Sequence, residues 1–202
     1  MKLPHDRWPS ATSSRGVNPT RRHWLLGLTL LAAVNTHAQS PTPAAGPAEL
    51  SGQLPGARLL GTARLRVFGL HIYDARLWAG ALPPGADWAA VPFALELQYA
   101  RGLKGEQIAE RSLAEMRRQG EIDTITAERW LGNMKQLFPD VQAGDRITGV
   151  NLPGVGARFF VNGALRGEPR EIEFARTFFG IWLSPRTSEP AMREQLLGRK
   201  AP

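Results

Sequence analysis

The stretch Glu171–Gly198, EIEFARTFFGIWLSPRTSEPAMREQLLG, carries the densest apolar signal in the 202-residue chain, and the fold is read outward from it. Ile172, Ala175, Phe178, Phe179 and Trp182 recur at helical spacing, which predicts a helix with one broad buried face. Pro185 ends that helix, because its ring removes a backbone donor and clashes with the preceding turn. Ser188 is the expected cap of a second helix with Met192, Leu196 and Leu197 on one side, stopping at Gly198. On residue types alone this is a helical hairpin closing a hydrophobic core.

At the other end, residues 1–38 read as an export signal. An arginine-bearing leader runs into Thr20-Arg21-Arg22-His23-Trp24-Leu25-Leu26, an apolar run continues to Val34, and Thr36-His37-Ala38 offers a cleavage site after Ala38. The paired arginines resemble a twin-arginine signal without its usual lysine, and a general secretory signal is the alternative. The apolar run falls short of the roughly 20 residues that a bilayer core demands, so no stable membrane span is expected after cleavage. Residues 39–50, rich in proline and alanine, read as a disordered linker, and residues 51–202 as one domain. These assignments place the mature protein in the periplasm.

The formal net charge of +7 is inflated by the leader, which holds Lys2, Arg7, Arg15, Arg21 and Arg22 against Asp6. No basic run interleaved with aromatics tracks a phosphate backbone, so no nucleic-acid partner is expected. The absence of cysteine excludes disulfides and thiol catalysis. His71 stands without a second histidine in the domain and reads as a strand residue. No metal-ligand set, cofactor motif or nucleophile elbow is present.

Within the domain, Ala57–Trp78 has a period of two with a central glycine and predicts two consecutive strands. A loop around Pro83-Pro84-Gly85 follows. Phe93–Tyr99 alternates strictly, predicting a central strand with Phe93, Leu95, Leu97 and Tyr99 facing the core. Helical stripes then run from about Gly105 to Gln119 and from about Thr126 to Phe138, where Pro139 stops the second. Strands are expected over Asp145–Asn151 and Ala157–Val161, and Asn162-Gly163 is a two-residue hairpin signal, since both positions need positive φ. The whole is an α+β pattern: a mostly antiparallel sheet covered by helices.

These residues, in this order, resemble the bacterial exported members of the chalcone isomerase-like family. The resemblance is carried by Ile72-Tyr73 with Leu77-Trp78, by the Phe93–Tyr99 strand with Arg101, and by Phe138 and Gly144-Asp145. It continues through Pro153-Gly154 with Gly156 and through Asn162-Gly163. It is strongest from Phe174-Ala175 through Ile181-Trp182-Leu183 to Leu196-Leu197-Gly198. It implies an open-faced β-sandwich, a wide antiparallel sheet with helices packed on one face and a ligand cleft between the layers.

The enzymes of that family cyclise chalcones without a cofactor, using a cation to hold a phenolate and hydroxyl groups to steer water toward the enone oxygen. By this resemblance the family arginine corresponds to Arg64 or Arg66, the catalytic threonine to Tyr73, the helix tyrosine to Lys104, the helix asparagine to Arg111, and the late-helix threonine to Ile181. Most of these positions depart from the enzyme pattern, so no catalytic residues are assigned. The resemblance implies instead a non-catalytic domain binding a small amphipathic molecule such as a fatty acid, with Arg64, Arg66, Tyr73, Lys104, Arg111 and Ile181 as the ligand-binding set. The alternatives are an envelope interaction or scaffold domain with a vestigial cleft, for which Trp88 is the visible exposed aromatic, and an intramolecular lyase with isomerase activity.

Overall fold

Six strands in chain order form one antiparallel meander, β1-β2-β3-β4-β5-β6, in a computed structural model that describes residues 46–80, 82 and 85–199. The strands are β1 (Arg58–Val67), β2 (Leu70–Ala79), β3 (Phe93–Tyr99), β4 (Arg146–Leu152), β5 (Gly156–Val161) and β6 (Ala164–Gly167). Helices α1 (Gly105–Arg117) and α2 (Thr124–Leu137) bridge β3 to β4, and α3 (Ile172–Leu183) and α4 (Pro190–Leu196) follow β6. This is the α+β architecture expected, with the helices on one face of the sheet. The expected export signal over residues 1–38 with its expected cleavage site, residues 39–45 of the expected linker, and Pro83-Pro84 lie outside the described residues.

Alternation fixes which face each side chain takes. Phe93, Leu95, Leu97 and Tyr99 of β3 join Ala75 and Leu77 of β2 and Phe159 of β5 in the main core, facing Phe174, Phe178, Phe179 and Trp182 of α3. The aromatic rings there meet mostly edge to face, as between Phe159 and Phe178 at 5.0 Å. Asn162 (φ 48°) and Gly163 (φ 85°) make the β5–β6 turn in the left-handed region, as their dipeptide demands. Asp123 caps α2, its carboxylate accepting from the Thr126 N–H at 3.0 Å.

Two expectations need correction. Ser188 does not cap α4: Glu189 holds that position without a side-chain bond, Pro190 opens the first turn, and the Ser188 hydroxyl donates instead to Glu115 at 2.8 Å. A proline at the first helical position supplies a preset φ and lacks only a donor that would go unused, so the start needs no hydroxyl cap. Residues 46–50 are not a linker either. Ala48–Leu50 form a 3-10 turn that begins a strap across the outer face of the sheet. Leu50 and Leu54 pack there on Trp78, Ala94, Val150 and Phe160. Thr148 donates to Glu49 at 2.9 Å, and Arg158 donates to Gln53.

The same outer face carries an ionic cluster. Glu96 is buried, pairs with Arg76 and lies 3.6 Å from Arg146, which is also 3.8 Å from Glu49. Burying such a carboxylate is tolerable only because cations and donors surround it.

Candidate functional site

A cavity of about 370 Å³ lies between the sheet and the helices. Leu65 of β1, Tyr73 of β2, Leu97 and Tyr99 of β3 and Ile147 of β4 form its floor. Ile108, Arg111, Ser112 and Glu115 of α1, Phe178, Ile181 and Trp182 of α3, and Met192 of α4 form its walls. Alternation along the strands and the i, i+4, i+7 spacing of Ile108, Ser112 and Glu115 on α1 bring these side chains inward. The volume is at the lower end of ligand sites, which span about 300–1,000 Å³.

The polar groups are few and mostly already paired. The Trp182 indole N–H donates to the Tyr73 hydroxyl at 3.0 Å. Among the described residues the phenolic proton of Tyr73 has no acceptor, so it is available to an occupant of the cavity. Tyr99 stands opposite Tyr73 in the β2–β3 register, and their rings meet edge to face at 6.0 Å. Burial pushes both phenols well above the ordinary tyrosine value, the Trp182 bond opposing this only in part at Tyr73. Both therefore keep their protons at neutral pH and do not serve as bases.

Glu115 is the principal anion. Its side chain is 9% exposed and pairs with Arg111 at 2.6 Å and Arg118 at 3.6 Å, with the Ser188 hydroxyl as a further donor. Arg111, the cation among the lining residues, has an exposed side chain, which sets it at the rim rather than in the depth.

Of the six residues expected at the site, Tyr73, Arg111 and Ile181 line the cavity. Arg64, Arg66 and Lys104 do not. Ala63, Leu65 and Val67 turn toward the helices, so Arg64 projects the other way, donating to Asp74 at 2.7 Å and holding that carboxyl below its usual range. Arg66 sits at a register shift in the β1–β2 ladder and reaches the Gly69 carbonyl. Lys104 precedes α1 and pairs in solvent with Asp140 at 2.7 Å. A strongly cationic cleft is therefore not what the fold builds.

Sequence reasoning missed Glu115, Ser188 and the Tyr73–Trp182 bond. The signal for Glu115 was present in its spacing from Ile108 and Ser112. Trp88, proposed as an exposed aromatic, is half-buried, packed on Phe93 with the Arg176 guanidinium 5.9 Å from its ring centre. His71 lies 3.2 Å from Asp74. Among the described residues there is no cluster of three metal-ligating side chains, and no helix is long and apolar enough to cross a membrane.

The meander, the helical layer on one face and the cavity between them define a chalcone isomerase-like fold. The family model for chalcone isomerase-like proteins matches residues 61–198, and the chain belongs to that family. An uncharacterized protein of Haemophilus influenzae is 29% identical over 108 residues, covering 54% of this chain and 52% of that protein. The chain thus spans about half the length of the curated relative it matches. Among solved structures, an Arabidopsis thaliana fatty-acid binding protein superimposes with a TM-score of 0.59 at 16% identity, covering 71% of this chain and 88% of that one. This is a likeness of fold.

Proposed function

We propose that this chain is an exported, non-catalytic member of its family that binds a single-chain amphipathic ligand such as a fatty acid. The observation that carries the reading is the apolar cavity with Arg111 at its rim. The acyl chain would lie against Leu97, Phe138, Ile147 and Phe178, and the carboxylate would meet Arg111, with the free proton of Tyr73 as a second donor. Each buried methylene contributes about 0.8 kcal/mol, whereas a charge-assisted hydrogen bond contributes about 1.5–3 kcal/mol. Because Arg111 must be shared with Glu115, the tail supplies most of the affinity. The fold shared with a fatty-acid binding protein supports the same reading.

The geometry supports binding rather than chalcone cyclisation. Cyclisation needs an uncompensated cation for the phenolate and hydroxyls that steer water, but here the cation is paired with Glu115. Ile181 presents only hydrocarbon. Export to the periplasm rests on the leader and its Arg21-Arg22 pair, and replacing both by lysine should stop export if the twin-arginine route is used.

The direct test is solvent extraction of the purified full chain followed by mass spectrometry, with reloading by a fluorescent polyene fatty acid and displacement by palmitate. A near-stoichiometric lipid and saturable displacement are expected. Clean extracts together with no displaceable binding would overturn the reading.

A further inference from the structure

The tip of the β1–β2 hairpin is apolar and solvent-facing. Phe68 is 100% exposed, Leu70 54% and Val67 40%. Phe68 (φ 50°) and Gly69 (φ 79°) form a two-residue turn with both central residues left-handed. The molecule contains its own comparison: the β5–β6 turn has the same backbone form, and there the first position is Asn162 (φ 48°). Asparagine tolerates that conformation, whereas a bulky aromatic is strained in it. At β1–β2 the chain therefore holds a phenyl ring in a costly backbone conformation although the ring is fully exposed among the described residues.

Cations flank this tip. Arg66 reaches only the Gly69 carbonyl, at 3.4 Å, and the Ala100 N–H bonds the Ile72 carbonyl, which brings Arg101 to the same end of the sheet. Neither arginine has an ion-pair partner among the described residues, whereas nearby Arg64 is neutralised by Asp74. Val67 belongs both to the tip and to the cavity lining, so the two are contiguous. Three side chains are too few for a stable protein interface, which buries about 800 Å² on each partner. Insertion into the headgroup–acyl boundary of a bilayer requires depth of apolar side chains and neighbouring cations rather than breadth.

We infer that the β1–β2 tip is a membrane-docking finger: Phe68 and Leu70 enter the acyl boundary of an anionic phospholipid bilayer while Arg66 and Arg101 meet its phosphates. This goes beyond ligand binding and does not depend on what fills the cavity.

The chain has no cysteine, so Phe68→Cys in the full chain takes a single environment-sensitive fluorophore. Ile125→Cys, on the exposed first turn of α2, serves as the control. Phosphatidylcholine vesicles containing phosphatidylglycerol should shift the emission of the tip probe to the blue, pure phosphatidylcholine should do so weakly, and the α2 probe should not respond. Arg66→Gln combined with Arg101→Gln should weaken the anionic-vesicle response roughly tenfold or more. Because the probe reads the tip alone, binding through the leader cannot imitate the result. A tip probe that stays aqueous while vesicles capture the labelled chain overturns the inference, as does a failure of anionic vesicles to bind the unlabelled chain with Phe68 in place. A blue shift that grows with protein concentration without vesicles would assign the tip to a second copy of the chain and overturn it equally.

Discussion

The indole N–H of Trp182 donates to the phenolic oxygen of Tyr73 across 3.0 Å, joining α3 to β2 over the cavity. Tyr73→Phe keeps the ring but leaves a buried indole donor without its acceptor. The expected cost is about 1–2 kcal/mol in urea unfolding. Trp182→Phe in that background should add less than it costs alone, and additive penalties would show that the bond is not the source.

Alkaline pH probes the same pair of phenols. Tyr73 and Tyr99 are the chain's two tyrosines, and burial raises both. Below the ordinary tyrosine value of about 10 they keep their protons in the folded and unfolded chains alike, and the stability from this source is intact. Above it the unfolded chain releases protons that the folded chain retains. Stability should then fall by up to about 1.4 kcal/mol per pH unit for each phenol. Tyrosinate absorbance should rise only together with loss of tertiary circular dichroism; a smooth rise in the folded protein would contradict this.

Arg111 and Glu115 should move carboxylate affinity in opposite directions. Arg111→Gln removes the rim cation and should weaken fatty-acid binding about tenfold. Glu115→Gln releases Arg111 from its 2.6 Å partner and should tighten binding several-fold. Titration with a fatty acid and with its alcohol separates the effects, since the alcohol should respond little to either change.

Two glycines give contrasting tests of packing. A Cβ on Gly61 would lie 2.1 Å from the Gln195 carbonyl oxygen, so Gly61→Ala must push α4 away from β1. A loss of about 2–3 kcal/mol is expected. Gly132 sits on the exposed side of α2 with nothing within 4 Å. Gly132→Ala should raise stability by about 0.5–1 kcal/mol, and denaturant midpoints distinguish the two.

On the outer face, Arg76→Met should cost about 3 kcal/mol, because buried Glu96 keeps only the more distant Arg146. Arg76→Met with Glu96→Leu should recover most of that loss. If the double variant is as unstable as the single one, the pair rather than the orphaned carboxylate is what matters.

Much of the layering was legible because local periodicity and global burial agree. The alternation of Phe93–Tyr99 returns as β3, and Asn162-Gly163 adopts the positive φ values its residue types imply. The site was less legible, because its polar members answer to partners far away in the chain. The Ser188 hydroxyl goes to Glu115, 73 residues earlier, rather than to its own helix. Glu115 looked like any solvated helix acid, although its spacing from Ile108 puts it inside. Arg64 and Arg66 could not be separated by inspection, since the register shift between Leu65 and Arg66 is a property of the ladder and not of either residue. The strap was hidden by composition: Leu50 and Leu54 stand after a proline-rich run, and only the apolar outer surface of β2 to β5 gives them somewhere to bind.

That strap has a consequence for the order in which the molecule is completed. Glu49 meets Thr148, 99 residues later, and Gln53 meets Arg158, 105 residues later. These are among the earliest-synthesised of the described residues, yet their two bonds cannot close until β4 and β5 have left the ribosome. Contacts so distant in the chain form late, since loop closure must precede them. Throughout that interval residues 49–53 are open to whatever meets the emerging chain, before its outer layer shuts.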